Sequence, residues 1–494
     1  MAAAVTAPSR STTDDRDPGA PRRRWIVPAC TLVVLVLYAV SAIALGRHAT
    51  GSDLHRLQAE ALADGHLDIR PVPTALSELD DPYDPGANLD VRIDEGVQDL
   101  AYRDGRLYSA HGLTTPVLLL PSEVLFGTAP PNWAITLIAG WGGALAGVWI
   151  LLQLRRRFVP AASDVALGST VLAFGLCGPV WVLMSTGNGY EAAIAVAFAL
   201  TTLGAALLLR STESLPALGR GRAALGSSCL AAAIGARPTA VVTVIVVGVV
   251  AAVVVVADRR APRAPGSPPR RTTAAVAADL ACVVAPFVAI GALIAAANIV
   301  RFGEAGEFGF GYQLSVWDMT AYPKGRLAYL APNLADYLTA APRLGGRFPW
   351  IGLRDTVGGV RPEDHTSEPI VGLVFLAPVL VVGAAGLATR SHGLRTRGRG
   401  LAVALATAVA TGVAALVAVS LPFNTSTLRY AADAAPMLLL AAGAAWLWAR
   451  GPGGRPSDDG PDDGTDADHG SLDLAWAIAL ALGVALTAAV QVGA

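Results

Sequence analysis

Residues 26–46 read IVPACTLVVLVLYAVSAIALG, residues 47–57 read RHATGSDLHRL, and a second long apolar run follows only at Trp133–Leu152. The two apolar runs are each about 20 residues, which as helix covers the ~30 Å hydrocarbon core of a bilayer. The segment between them, Arg47–Asn132, holds fourteen acids against six arginines, a net of −8. Such a segment stands outside the membrane. This alternation sets the fold class: an all-α polytopic membrane protein that holds polar loops over a helical scaffold.

The totals agree. The chain has 494 residues, 53% hydrophobic and 15% charged, with a mean hydropathy of +0.50. The net charge of −1 hides a segregation of acids and arginines between the two sides. Cys30, Cys177, Cys229 and Cys282 all fall inside expected spans, which argues against a disulfide framework or a CxxC metal site. There is no GxxxxGK[ST] loop, HExxH, GxSxG or His/Cys metal cluster, which argues against an ATP-driven pump and a zinc hydrolase.

Arginine marks the cytoplasmic side of a membrane protein. Arg22–Arg24 precede the first span, so residues 1–24 read as a disordered cytoplasmic tail and the first helix as uncleaved. The 47–132 loop is then extracytoplasmic. Arg155–Arg157, Arg210/Arg220/Arg222, Arg259–Arg271, Arg390–Arg399 and Arg450 return the chain inside each time. Arg237-Pro238 sits within an apolar stretch that is basic at both ends, so a turn there splits the stretch into two crossings. About eleven transmembrane helices result, with two large extracytoplasmic loops, 47–132 and 301–368. The transmembrane domain is read as 25–450, a flexible cytoplasmic loop as 451–472 and a last helix as 473–494.

Candidate chemistry lies on the loops. Leu54, Leu57, Ala61 and Leu62 fit one helical face, with Asp53, Arg56, Glu60 and Asp64 on the other, so this helix lies along the membrane surface. Asp53 then either faces a substrate above the first span or caps and pairs locally, Thr50-x-x-Asp53 being a loose capping box. Further on, Asp104-Gly105 between Tyr102 and Tyr108 signals a hairpin turn with Asp99 and His111 close by. The apolar run after Pro116 is either a re-entrant helix or an ordinary amphipathic one. The second loop opens Asn298-Ile-Val-Arg301-Phe-Gly303 and continues to Tyr312, Arg343 and Arg347. Those arginines suit a phosphate, through bidentate forks, or simple interfacial anchoring. Arg429 and Asp433 stand at i, i+4 at the outer end of an expected span over about Tyr430–Trp448, either facing a cavity or as a helix-end pair.

Taken together, Ser52-Asp53 after the first span, Asp99…Gly105-Arg106-Leu107-Tyr108-Ser109…Gly112…Pro116, Asn298…Arg301-Phe302-Gly303…Phe308-Gly309…Tyr312 and Arg429-Tyr430…Asp433…Pro436 resemble the GT-C superfamily of membrane glycosyltransferases, relatives of the protein O-mannosyltransferase and aminoarabinose transferase group. The resemblance covers about Ile26 to Arg450. It implies a multi-pass protein of the bacterial plasma membrane that uses a polyprenyl-phosphate sugar donor and an envelope glycan, lipid or protein as acceptor, with no nucleic acid partner. Inverting transfer would use a carboxylate base on the extracytoplasmic face. By position Asp53 is that base. It is followed by Leu54 and His55 rather than by the second acid many relatives carry, so Asp99 and His55 are further catalytic candidates. Arg301, Arg343, Arg347, Arg429 and Tyr312 are the donor-phosphate candidates. No motif supports a metal site, and a divalent cation is neither required nor excluded. The alternative is a transporter or lipid flippase without chemistry, for which paired charges at mid-membrane would be the sign.

The arginine bias yields a direct test. A topology reporter fused near Gly86 is expected to read extracytoplasmic and one at Gly464 cytoplasmic. A cytoplasmic signal at Gly86 would reverse the whole arrangement.

Overall fold

The computed structural model describes residues 25–48, 52–215, 217–260, 272–322, 325–346, 350–353, 361–389, 394, 398–450 and 465–493. The expectations for residues 1–24, Thr50, Arg347 and 451–464 lie outside the described residues, and the last helix begins at Thr465, within the stretch expected to be a loop. The main helices, in chain order, are α1 (Ile26–Ala44), α2 (Leu54–Ala63), α3 (Thr114–Phe126), α4 (Asn132–Phe158), α5 (Asp164–Leu176), α6 (Pro179–Thr186), α7 (Gly189–Ser211), α8 (Arg220–Ala236), α9 (Ala240–Arg260), α10 (Thr273–Phe302), α11 (Leu330–Thr339), α12 (Val379–Thr389), α13 (Arg399–Ser420), α14 (Ala435–Arg450) and α15 (Thr465–Gly493).

Local chemistry explains many of their ends. Ser163 and Thr272 cap α5 and α10 by accepting the amides of Ala166 and Ala275, satisfying amides that have no partner within the helix. Arg155–Arg157 close α4, where cations meet the negative end of the helix dipole. Arginines at this end also bind across helices. Arg155 pairs with Asp164 at 2.5 Å, Arg156 with Glu213 at 2.6 Å, and Arg220 with Asp279 at 2.8 Å. One end of the bundle is therefore a belt of arginine pairs, called here the arginine end. The acidic segments occupy the other, the loop end.

Seven helices among the described residues are long and apolar enough to cross a membrane, or eight when α5 and α6, bent by 47° at Cys177-Gly178, count as one span. The protein is thus a multi-pass membrane protein, but the count of about eleven is not reproduced. The difference lies in α8, α12 and α14, with 17, 11 and 16 residues. At 1.5 Å per residue each falls short of ~30 Å. Buried contacts compensate in α14, where every residue from Ala435 to Ala449 except Leu438 is buried. A helix walled by protein does not need to match the bilayer. Similarly α8 and α7 approach backbone to backbone at Gly226 and Gly204, where an added Cβ would come within 2.9 Å and 2.8 Å of the opposing carbonyl. Small residues allow such close packing in place of apolar side-chain bulk.

The turn at Arg237-Pro238 exists between α8 and α9, but it is not open to solvent. Arg237 is buried, and its Nε donates to both carboxylate oxygens of Asp433 at 2.7 and 2.8 Å. Thr239 donates to the same carboxylate at 2.8 Å, and the guanidinium lies over the Tyr430 ring. Asp433 therefore does not pair with Arg429, its i, i+4 neighbour. Ser41, Trp181 and Gln491 form a second buried polar link, joining α1, α6 and α15.

Removing one partner of a buried pair strands the other charge. Arg237→Ala or Asp433→Ala is expected to destabilise the protein by about 3–5 kcal/mol. Arg237→Ala/Asp433→Ala together should cost less than the sum of the two. Thermal unfolding of the purified protein in detergent checks this; simple additivity would show that the pair is not coupled.

Candidate active site

The loop end carries a small core of its own, formed by Leu54, Ile69, Leu76, Val97, Leu100, Tyr102, Leu107 and Leu314. The last of these comes from the second loop. Helix α2 and the hairpin are both present, and the buried side of α2 is Leu54, His55, Gln58, Ala59 and Ala61, so that it includes polar groups. Strand β1 (Leu100–Arg103) pairs antiparallel with β2 (Arg106–Ser109). Asp104 and Gly105 turn between them at φ of 50° and 73°, the left-handed pair a tight hairpin requires. The two loops cross here: the Asp99 amide donates to the Leu314 carbonyl at 2.9 Å and the Leu314 amide to the Leu100 carbonyl at 2.8 Å. Gly112 sets this unit on the bundle, because any Cβ there would collide with the carbonyl of Gly235, 2.0 Å away at the end of α8.

Beneath the crossing lies a cavity of about 560 Å³ lined by both loops and the starts of the helices, including Asp99, Tyr190, Gln313, Glu368, Arg429 and Tyr430. Asp99 is its central group. Its backbone has φ 66°, a conformation that costs a non-glycine residue energy and that the Leu314 hydrogen bond holds. Oδ1 accepts from Gln313 at 2.8 Å, Gln98 at 3.1 Å and the Tyr190 hydroxyl at 3.2 Å. Gln313 also donates to Tyr190. Oδ2 has no partner among the described residues. Burial pushes the Asp99 carboxyl up from its ordinary range, and the three donors and Arg429 offset only part of that.

Arg429 is the one cation among the described lining residues. It pairs with Glu368 at 2.9 Å and lies 4.9 Å over the Tyr190 ring. A chain of contacts holds Glu368 in place. Its amide donates to the Ser426 carbonyl, and residues Thr366–Ser367 pair in parallel with Thr425–Ser426. Ser426 and Arg361 both bind buried Asp336 of α11, at 2.5 and 2.6 Å.

The other sequence candidates lie elsewhere. Asp53 is outside the cavity lining, although Ser52 and Leu54 belong to it. Its carboxylate accepts the Asn132 amide at 3.3 Å at the start of α4 and lies 3.6 Å from Arg56. His55 is fully buried, with Nε2 2.9 Å from the Gly189 carbonyl and its ring 5.5 Å from that of His111. Burial lowers the His55 pKa to about 4 and holds that of His111 well below the usual histidine range. Arg301 binds Asn298 Oδ1 at 3.0 Å and reaches the carbonyls of Ser109 and His111. It clamps α10 to the hairpin rather than facing the cavity. Tyr312 stacks on Phe302 beneath the Arg103 guanidinium. Arg343 stands exposed on the short strand Arg343–Leu344, outside the lining.

Of the sequence candidates, then, Asp99 and Arg429 meet. Gln313 and Glu368 were not legible as site members. Gln313 reaches Asp99 through an isolated bridge to Ala101 across more than 200 residues, and no local pattern marks such a contact. Among the described residues, no group of three or more His, Cys, Asp or Glu side chains stands together as a metal site.

No family model matches the chain, and no curated protein sequence matches it significantly. Solved structures do. ArnT from Cupriavidus metallidurans bound to undecaprenyl phosphate aligns at 15% identity and TM-score 0.45, over 94% of this chain and 75% of that one. The apo state of the same protein aligns at 17% and 0.44, over 85% and 59%. The archaeal oligosaccharyltransferase AglB from Archaeoglobus fulgidus, in complex with an inhibitory peptide and a dolichol-phosphate, aligns at 10% and 0.46, over 95% and 57%. The chain spans less than two thirds of the length of the latter two chains. These likenesses to ArnT and AglB extend over most of the chain, at an identity too low to assign any residue a role.

Proposed function

We propose that the protein is a membrane glycosyltransferase that moves a sugar from a polyprenyl-phosphate donor to an envelope acceptor at the loop end, with Asp99 as general base. The observation that carries this reading is that the half-buried Asp99 carboxylate and the Arg429–Glu368 pair line a single cavity built by both loops. The donor's phosphate would lie at Arg429, with Glu368 yielding its place to it. An acceptor hydroxyl would donate to Oδ2 of Asp99. As its oxygen attacks the anomeric carbon, the proton passes to Oδ2. The bond from that carbon to the phosphate oxygen breaks, and polyprenyl phosphate leaves with the charge that Arg429 neutralises. Tyr190, Gln98 and Gln313, all on Oδ1, hold the carboxylate so that Oδ2 faces the acceptor. A pKa raised by burial makes Asp99 a stronger base than a solvated carboxylate. Asp53 then has a supporting role at the start of α4.

The transporter reading has less support. The buried Arg237–Asp433 pair is closed on itself, and the void beside it is only about 20 Å³ and shares no lining residue with the polar cavity.

Asp99→Asn keeps volume, hydrogen bonding to Oδ1 and tolerance of the left-handed backbone, yet cannot take a proton. It is expected to lower transfer from a radiolabelled polyprenyl-phosphate sugar by about 10²–10⁴-fold. Asp53→Asn should cost much less, and a larger loss in Asp53→Asn than in Asp99→Asn would return the base to Asp53. Arg429→Gln should weaken donor binding by roughly 1.5–3 kcal/mol, the loss of a charged hydrogen bond.

The sign of the pH effects follows from the raised pKa. Transfer falls as pH drops through the folded pKa of Asp99, which lies above the ordinary carboxylate range. Stability runs the other way. A carboxyl whose pKa rises on folding stabilises the fold below its unfolded pKa, and that contribution is lost as pH climbs through the folded value. Asp99→Asn should therefore be no less stable than wild type at pH 7, by thermal unfolding. A clear loss of stability there would show that the ionised carboxylate is favoured by the fold.

A further inference from the structure

A second cavity lies at the arginine end and has no part in the site above. It holds about 680 Å³, walled by α4, α7, α9, α13 and α14 through residues such as Ile150, Leu208, Val247, Val254, Ala404 and Leu440. Its charged groups are Arg157, Asp258 and Arg399, at the arginine ends of α4, α9 and α13. Arg157 donates to the Leu209 carbonyl and to Thr212 Oγ1. Asp258 already takes part in an interaction of its own. Arg399 is exposed. Two cations against one anion leave the mouth positive, while the depth is apolar.

This space is closed off from the loop end. The next void along α14 measures about 20 Å³ and shares Met437 with the larger one. It has room for about one water, and the Arg237–Asp433 pair lies beside it. No hydrocarbon chain passes there in this conformation, so the larger cavity fills from its own side of the membrane. An apolar cavity of this size does not hold water favourably. At bilayer depth the available filler is an acyl chain, and a positive mouth selects an anionic headgroup.

We propose that this cavity binds an anionic phospholipid from the leaflet at the arginine end, its acyl chain among α9, α13 and α14 and its phosphate beside Arg399 and Arg157. This lipid is distinct from the donor and enters from the opposite end of the bundle.

The test uses the full chain purified in mild detergent, with bound lipid extracted and quantified by mass spectrometry per mole of protein. Wild type is expected to retain anionic phospholipid. Ala441→Phe and Ala251→Phe, which fill the cavity from two different helices, should bring it down to background. Arg399→Gln should lower the ratio of anionic to zwitterionic lipid by about fivefold, one interfacial cation's worth. Asp99→Asn should leave the lipid unchanged, so that failure of the donor-site reading and failure of this one are separable.

A second measurement needs no variant. A phosphatidylglycerol with a diazirine in its acyl chain is incorporated into vesicles with wild-type protein and irradiated, and the adducts are mapped. Adducts at Val247 and Val254 support the site. Adducts confined to Val249 and Val253, which are 55% and 58% exposed on the outside of the same helix, overturn it. So does recovery of polyprenyl phosphate in place of phospholipid, or lipid retention equal to wild type in both folded cavity-filling variants.

Discussion

A guanidinium and a carboxylate, Arg237 and Asp433, meet with about a tenth of each side chain exposed, and much of the protein's form depends on that contact. It lets the chain turn at Pro238 between two helices of unequal length without leaving an isolated charge in an apolar surrounding, which would cost several kcal/mol. It fixes the start of α14, which packs against α4, α5, α6, α12 and α13. It also lies between the two cavities. The acids and tyrosines near the loop end thereby gain a floor too tight for a lipid tail to pass. Burial of that kind raises the pKa of a carboxylate such as Asp99 while leaving it reachable from above.

The broad fold was legible because its signals are long. Runs of some 20 apolar residues, a loop of net −8 and arginines at each return need no tertiary information. The surface helix at Leu54–Ala63 and the hairpin at Asp104-Gly105 were equally plain, since each is determined by a short local pattern. The helix count was harder. Hydropathy cannot distinguish a short helix enclosed by protein, such as α14, from one long enough to span a bilayer, and α8, α12 and α14 are all short. Arg237 illustrates the same limit: the sequence marks it as costly and places a turn there, but its partner is nearly two hundred residues away.

The site was half legible. Asp99 and Arg429 stood out as ionisable groups near apolar segments, and both line the cavity. Asp53 stood out for the same reason and by its position after the first helix, yet the register of α2 turns Leu54 toward the cavity and Asp53 toward Asn132. One residue of rotation at a helix start is beyond what periodicity resolves. Arg301 stands out as a cation beside a glycine-aromatic run, and three backbone or amide oxygens hold its two terminal nitrogens. Gln313 and Glu368 have no sequence signal at all, since neutral amides and lone loop acids are common everywhere.

The left-handed backbone at Asp99 has a consequence for how this position can vary. The carboxylate is aimed by the main chain and by a hydrogen bond from its own amide, more than by its side-chain torsions. Asparagine and glycine accept that conformation readily, while longer and branched side chains resist it. Glutamate would preserve the charge and lose the aim. Chemical similarity is therefore a poor guide to tolerance here, and substitutions would sort by backbone preference first and by charge second.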